Sequence, residues 1–284
     1  MKSDRPDLIQ LEQDIYSALE KVDTPEFLKI LDELAGESAA YLKAHLDMEH
    51  SFPSPSGVMK CRLQQWFKGK GVEGGDKIPA YWTVRMASGI LSEPFWQAVL
   101  RMCPSMEKFP IARPMASVTC GDYMRGKGDF LIGDMGLGES KEKNGWIYKR
   151  LLEGQGVAFE LPGEYMQMQQ YLAGYNRDWC LYMVTPDSPG MLQGMMRNYK
   201  RYKDIPNWEL PICYLEIVER RELDVLAGLS RAKMIFLDQL SDEHPPREYD
   251  GQIRKGMHPC NICPVRRQCN ELYNETYISG ESSD

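Results

Sequence analysis

The sequence predicts an α/β protein, with helices packed around a central set of strands. Two observations carry this. Apolar residues recur at helical spacing near both ends, over residues 6–22 and 219–240. Between them, residues 114–143 break into short apolar runs separated by glycines, the pattern of strand, turn and strand. No internal repeat and no low-complexity linker interrupts the chain.

Taken in order, Leu8, Leu11, Ile15, Leu19 and Val22 form the stripe of a first amphipathic helix. Pro25 can open a second, carrying Phe27, Leu28, Ile30, Leu31 and Leu34. Residues 51–57 are a break, after which Ser56 is expected to cap a short helix with Cys61, Leu63, Trp66 and Phe67. A glycine-rich loop follows at 69–75, then a helix over 83–101 that must accommodate Pro94. Phe130-Leu131-Ile132 and Leu137 belong to two strands joined by a turn at Asp134-Met135-Gly136. A helix at 163–176, a strand at 180–184, a helix from Pro189 to Tyr202 and a strand from Pro211 to Val218 come next. The last long helix spans 219–240, and the tail from Pro245 reads as loop.

The 284 residues are 43% hydrophobic and 26% charged, which suits a packed core and argues against global disorder. No apolar run approaches the ~20 residues that span a bilayer. The first seven residues are polar and lack the apolar stretch of a secretory signal. A soluble, cytoplasmic protein with no membrane partner is expected. The formal net charge of −7 excludes a uniformly basic nucleic-acid binder, but not one with a local basic channel.

Eight cysteines in such a chain point to thiols or metal ligands before disulfides. Cys260, Cys263 and Cys269 fall within ten residues, the first two at C-x2-C spacing, and can converge on one centre. Cys103, Cys120, Cys180 and Cys213 lie in or beside apolar segments, where cysteine acts as a small hydrophobe. Cys61, between Lys60 and Arg62, is the best fourth ligand. Spacing alone does not choose between structural zinc and an iron–sulfur cluster, and scattered free thiols are the third reading.

A second constellation is Gly126-Lys127-Gly128-Asp129 followed by Glu139-Ser140-Lys141. If Asp129 opens one strand and Glu139 ends the next, the turn brings both carboxylates together as hard oxygen ligands for Mg²⁺ or Mn²⁺. Lys141 then shares a strand face with Glu139. There it can position or deprotonate water, or neutralise charge developing on a phosphate. The D…E-x-K pattern is weak by itself, because Lys141-Glu142-Lys143 also reads as a solvated edge. Gln167 and Tyr171 stand at i and i+4 on one face of the following helix.

In this order G-x-x-D, E-x-K and Q-x-x-x-Y resemble the motifs of RecB-type nucleases of the PD-(D/E)xK superfamily. A lone upstream cysteine with three more near the C-terminus resembles the iron–sulfur branch of that group, which includes the AddB nuclease domain, CRISPR-associated RecB-like exonucleases and phage enzymes. The resemblance covers residues 54–270. It implies a restriction-endonuclease-like core, a mixed sheet flanked by helices. A helical N-terminal region, 1–53, would precede a nuclease domain, 54–284, closed by an iron–sulfur tail. It also implies that Asp129, Glu139 and the Ser140 carbonyl hold Mg²⁺ or Mn²⁺, with Lys141 catalytic and Gln167 and Tyr171 supporting the site. Cys61, Cys260, Cys263 and Cys269 would bind a [4Fe–4S] cluster, approached through Pro245-Pro246-Arg247-Glu248. Many members carry a histidine or glutamate near a glycine in the helix after the first cysteine, a role Glu93 would fill here after Gly89. A P-loop, G-x4-G-K-[ST], is absent, so no ATP-driven motor is expected in this chain.

The implied partner is DNA, single-stranded or at duplex ends, in phage recombination and repair or in CRISPR adaptation with the proteins of those systems. Basic groups available for phosphates are Lys60, Arg62, Lys68 and Lys70; Lys149 and Arg150; Arg197, Lys200, Arg201 and Lys203; and Arg266 with Arg267. Tyr199 and Tyr202 could stack on bases. Two other readings stay open: a DNA-binding module without nuclease activity, and a zinc-bound structural protein with a coincidental E-x-K.

Overall fold

The computed structural model describes residues 5–46, 53–72, 92–112, 117–187, 211–249, 260, 263 and 265–273. Asp7 starts α1 (Leu8–Leu19) by accepting the Ile9 and Gln10 amides at 2.9 and 3.2 Å. A turn leads into α2 (Pro25–Leu46). A single 3₁₀ turn at Pro55–Gly57 precedes α3 (Arg62–Gly69), and α4 contains residues 92–101. Strands β1 (Ile111–Ala112), β2 (Val118–Cys120), β3 (Met124–Gly126), β4 (Phe130–Ile132) and β5 (Gly136–Lys143) follow. Then come α5 (Gly145–Glu153), α6 (Val157–Glu160), α7 (Pro162–Gly174) and β6 (Trp179–Pro186). The described chain closes with β7 (Tyr214–Glu219), α8 (Glu222–Leu240) and α9 (Arg266–Leu272).

The sheet runs β1-β4-β5-β6-β7, and β2 and β3 form a separate hairpin. β5 and β6 are parallel, joined through α5, α6 and α7; the other pairs of the sheet are antiparallel. This is the expected α/β class with a mixed sheet flanked by helices. Strand alternation then sorts the core. Phe130, Ile132, Leu181 and Met183 face one side, where they pack with Leu11, Ile15, Phe27, Leu34 and residues 98–100. Leu137, Cys180, Tyr182 and Val184 face the other, under α5 and α7. Among the described residues no helix is long and apolar enough to cross a membrane.

Several boundaries depart from the sequence reading. Ser56 does not cap a helix. Pro55 at the first position closes a 3₁₀ turn instead, and α3 starts only after Cys61. Glu139 does not end its strand: pairing with β6 carries β5 on to Lys143, and Asp129 lies one residue before β4. The turn is Gly133–Met135, with Gly133 at φ +52°, a conformation glycine adopts without steric cost. The tail is not all loop, because α9 buries Cys269 against Leu63, Phe67 and Val265. The expected helix from Pro189 to Tyr202 lies outside the described residues.

Gly138 sits opposite Phe130 in the β4–β5 ladder, and a Cβ there would meet the ring at 1.9 Å. Gly138→Ala is therefore expected to destabilise the protein by about 2–3 kcal/mol. A lower urea midpoint at unchanged slope would show it.

Candidate active site and cysteine cavity

The β4–β5 hairpin sets the carboxylates. The Asp129 side chain accepts the Ser140 amide at 2.8 Å, which fixes it beside β5 where β4 has ended. Pairing with β4 stops at Gly138, so residues 139–143 have a strand partner only in β6 among the described residues. In a strand a residue's N–H and C=O point to one side. The Ser140 carbonyl therefore faces the same open side as the amide bound by Asp129.

Glu139 is buried under α7, its side chain only 1% exposed. One oxygen accepts from the Gln167 amide at 2.9 Å and pairs with the Lys141 ammonium at 2.5 Å. The other, Oε2, is buried and has no hydrogen-bond partner. Burial, then the charge of Asp129, pushes the Glu139 carboxyl up to about 8, against the pull of Lys141. Burial alone would lower the Lys141 pKa, but Asp129 and Glu139 outweigh it and hold the ammonium well above its ordinary value. Lys141 lies 3.8 Å from Asp129 and keeps about a quarter of its side chain exposed.

The buried glutamines of α7 divide the work. Gln167 holds Glu139. Gln169 accepts the Arg221 amide and donates to the Glu219 carbonyl, both at 2.8 Å, locking the start of α8. Gln170 fills the space left by Gly228, where a Cβ would come within 2.1 Å of its amide. Tyr171 is buried near Glu139, and burial with that charge keeps its phenol protonated. Its ring also lies against Gly126, where a Cβ would approach it to 2.9 Å.

Asp129, Glu139, Ser140, Lys141, Gln167 and Tyr171 thus converge. Glu93 is helical and half-buried, and α4 packs its apolar residues on the opposite sheet face from Glu139. Sequence reasoning missed Glu164, which pairs with Lys143 and accepts the Tyr182 hydroxyl beside the site. The signals for these contacts lie on three separate elements.

The four cysteines singled out above, Cys61, Cys260, Cys263 and Cys269, line one cavity with Leu63, Tyr249 and Val265. Burial, reinforced by the other cysteines, raises the Cys263 thiol to about 11. The walls are tied by long-range contacts. Arg62 grips Asp238 with two 2.7 Å bonds, and its amide donates to Glu248 at 3.0 Å. Arg231 donates to the Val58 carbonyl at 2.6 Å, to the Lys60 carbonyl at 3.0 Å and to Glu248. Arg247 reaches Asn270 at 2.6 Å and stacks over Tyr273. Cys103, Cys120, Cys180 and Cys213 are buried in the apolar clusters, as expected.

Among the described residues no three histidine, cysteine, aspartate or glutamate side chains stand close enough to share a single metal ion. The hairpin offers two carboxylates and a carbonyl, and the four cysteines line one small cavity. The unpaired Glu139 oxygen beside Asp129 fits a divalent cation, whose charge would satisfy it.

The basic clusters read from the sequence are largely neutralised. Arg62 pairs with Asp238, Lys70 with Asp242, Lys149 with Glu153, Arg150 with Glu160 and Arg267 with Glu271. Asp238, Asp242 and Glu160 are brought in by the fold, while Glu153 and Glu271 stand one helical turn along the same helix. Arg197, Lys200, Arg201, Lys203, Tyr199 and Tyr202 lie outside the described residues.

No protein-family model matches the chain, and no curated protein matches it. Among solved structures it is similar to an alkaline exonuclease from Laribacter hongkongensis in complex with dAMP, at 16% identity and a TM-score of 0.45, covering 67% of this chain and 88% of that one. It is also similar to a phage-related exonuclease from Haemophilus somnus 129PT, at 14% identity and a TM-score of 0.40, covering 66% and 83%. Likenesses of this degree assign no residue.

Proposed function

We propose that this chain is a metal-dependent deoxyribonuclease with a restriction-endonuclease-like core of the RecB type, an exonuclease acting on single strands or DNA ends. The observation that carries the reading is the convergence of Asp129, Glu139 and Lys141 at one hairpin, with a buried carboxylate oxygen left unpaired. Asp129, Glu139 and the Ser140 carbonyl would hold Mg²⁺ or Mn²⁺. Such an ion would polarise the scissile phosphate and lower the pKa of a coordinated water. Lys141, held as an ammonium, donates a hydrogen bond and places positive charge where the phosphate becomes more negative. Gln167 holds Glu139 in place, and Tyr171 is buried nearby. Digestion of end-labelled single- and double-stranded DNA with Mg²⁺ or Mn²⁺ tests the reading. Loss of nucleotides from an end supports it, and intact DNA under all conditions sinks it.

Cys61, Cys260, Cys263 and Cys269 are the proposed ligands of a [4Fe–4S] cluster with a structural role. A tetrahedral zinc, with Zn–S bonds of about 2.3 Å, gathers four sulfurs around a point. A cubane holds them around a volume; the cysteine spacing shared with the iron–sulfur branch is what supports the cubane.

Glu93 is the proposed additional carboxylate for the divalent cation. Glu93→Gln is expected to raise the Mn²⁺ concentration for half-maximal cleavage severalfold, with the unfolding midpoint unchanged. An unchanged metal titration with a small loss of stability would assign Glu93 to the helix terminus instead.

A further inference from the structure

We propose that Lys143, pinned by Glu164, binds the phosphate next to the scissile one; this rests on the nuclease reading above. Glu139, Lys141 and Lys143 alternate along β5 and therefore share one sheet face. A strand advances about 3.4 Å per residue, so Lys143 stands about 6.8 Å beyond Lys141. That repeat is of the order of the separation between successive phosphates of an extended nucleic-acid strand. Both lysines lie on the part of β5 that has outrun β4, where the described chain leaves one side of the strand open.

Glu164 sets the side chain. It lies in the first turn of α7, one helical turn before the Gln167 that holds Glu139. Its carboxylate pairs with the Lys143 ammonium and accepts the hydroxyl of Tyr182, the register partner of Glu139 on β6. One helix therefore positions both the carboxylate that would hold the cation and the lysine beyond it. An ammonium has three donors, and Glu164 engages one side of it. The pair is not sealed, with 16% of the Lys143 side chain and 21% of Glu164 exposed. The remaining exposure leaves part of the ammonium open to a second partner. Its offset from Lys141 along β5 matches the phosphate repeat, and that match is what points to a neighbouring phosphate.

The test uses oligonucleotides carrying one neutral methylphosphonate in place of a phosphate, on either side of the scissile linkage. In single-turnover cleavage, wild-type protein is expected to lose about tenfold in apparent affinity at one of the two positions. Lys143→Ala should lose about the same on unmodified DNA and be indifferent to the methylphosphonate at that position. Lys143→Arg should regain the sensitivity, and Glu164→Gln should raise KM severalfold with kcat retained. Lys143→Met, which keeps most of the apolar stem without the charge, serves if the alanine variant melts early. If wild-type protein cuts no DNA, the nuclease reading falls and takes the contact with it. If wild-type cuts and Lys143→Ala keeps the full methylphosphonate penalty, only the phosphate contact is overturned.

Discussion

Lys141→Ala is expected to reduce cleavage by about 10³-fold or more while the protein still binds DNA, because affinity is spread over many phosphate contacts whereas the ammonium acts at one. Asp129→Ala and Glu139→Ala should reduce cleavage at least as far. Asp129 also releases the Ser140 amide when it is lost, and Glu139 releases both Gln167 and Lys141. Iron content should be unchanged in all three, since the cysteine cavity is built from α3, α9 and the segment leading to α9. Single-turnover cleavage at saturating Mn²⁺, beside a DNA-binding titration, checks the set. Cleavage near wild-type in any one variant would remove that residue from the site.

Cys263→Ala is expected to release iron and sulfide and to loosen the tail from α3. A centre that joins Cys61 to Cys260 closes a loop of roughly 200 residues. By analogy with a disulfide, that confines the unfolded chain by about 5 kcal/mol. The variant should unfold at markedly lower denaturant, and protease should enter near α9 first. Anaerobically purified wild-type protein should be brown and bleach under dithionite. Zinc at one equivalent without acid-labile sulfide would replace the cluster by a structural zinc. Survival of the remaining fold is expected, because Arg62, Arg231 and Arg247 tie the same walls without a metal.

The course of α1 was legible because its signal is local: Leu11 and Ile15 recur at helical spacing and face the core, whereas the Asp7 cap was not read from the sequence. The carboxylate hairpin was legible for a similar reason, since a glycine turn places two nearby strands side by side. The far end of β5 was not. Lys141-Glu142-Lys143 has the composition of a solvated edge, and only parallel pairing with β6, some forty residues later, makes it strand. The same limit hid Glu164, whose partners Lys143 and Tyr182 come from two different strands. It also misled the reading of basic clusters, because Asp238 and Glu160 neutralise arginines that look unopposed in sequence. The four cysteines were found by spacing and setting, and the cavity they share follows from α3 crossing α8, where Gly69 lies against Gln239.

The ties from α3 to the end of α8 and the segment after it set a timetable for biosynthesis. Asp238, Ser241 and Glu248, which receive Arg62 and Trp66, are made long after α3. Cys61 must wait about 200 residues for its proposed companions. At roughly 5–20 residues per second, that is about 10–40 s on the ribosome. Through that interval α3 has no docking surface and Cys61 stands as an open thiol, so a nascent chain is most vulnerable to oxidation and misdocking there.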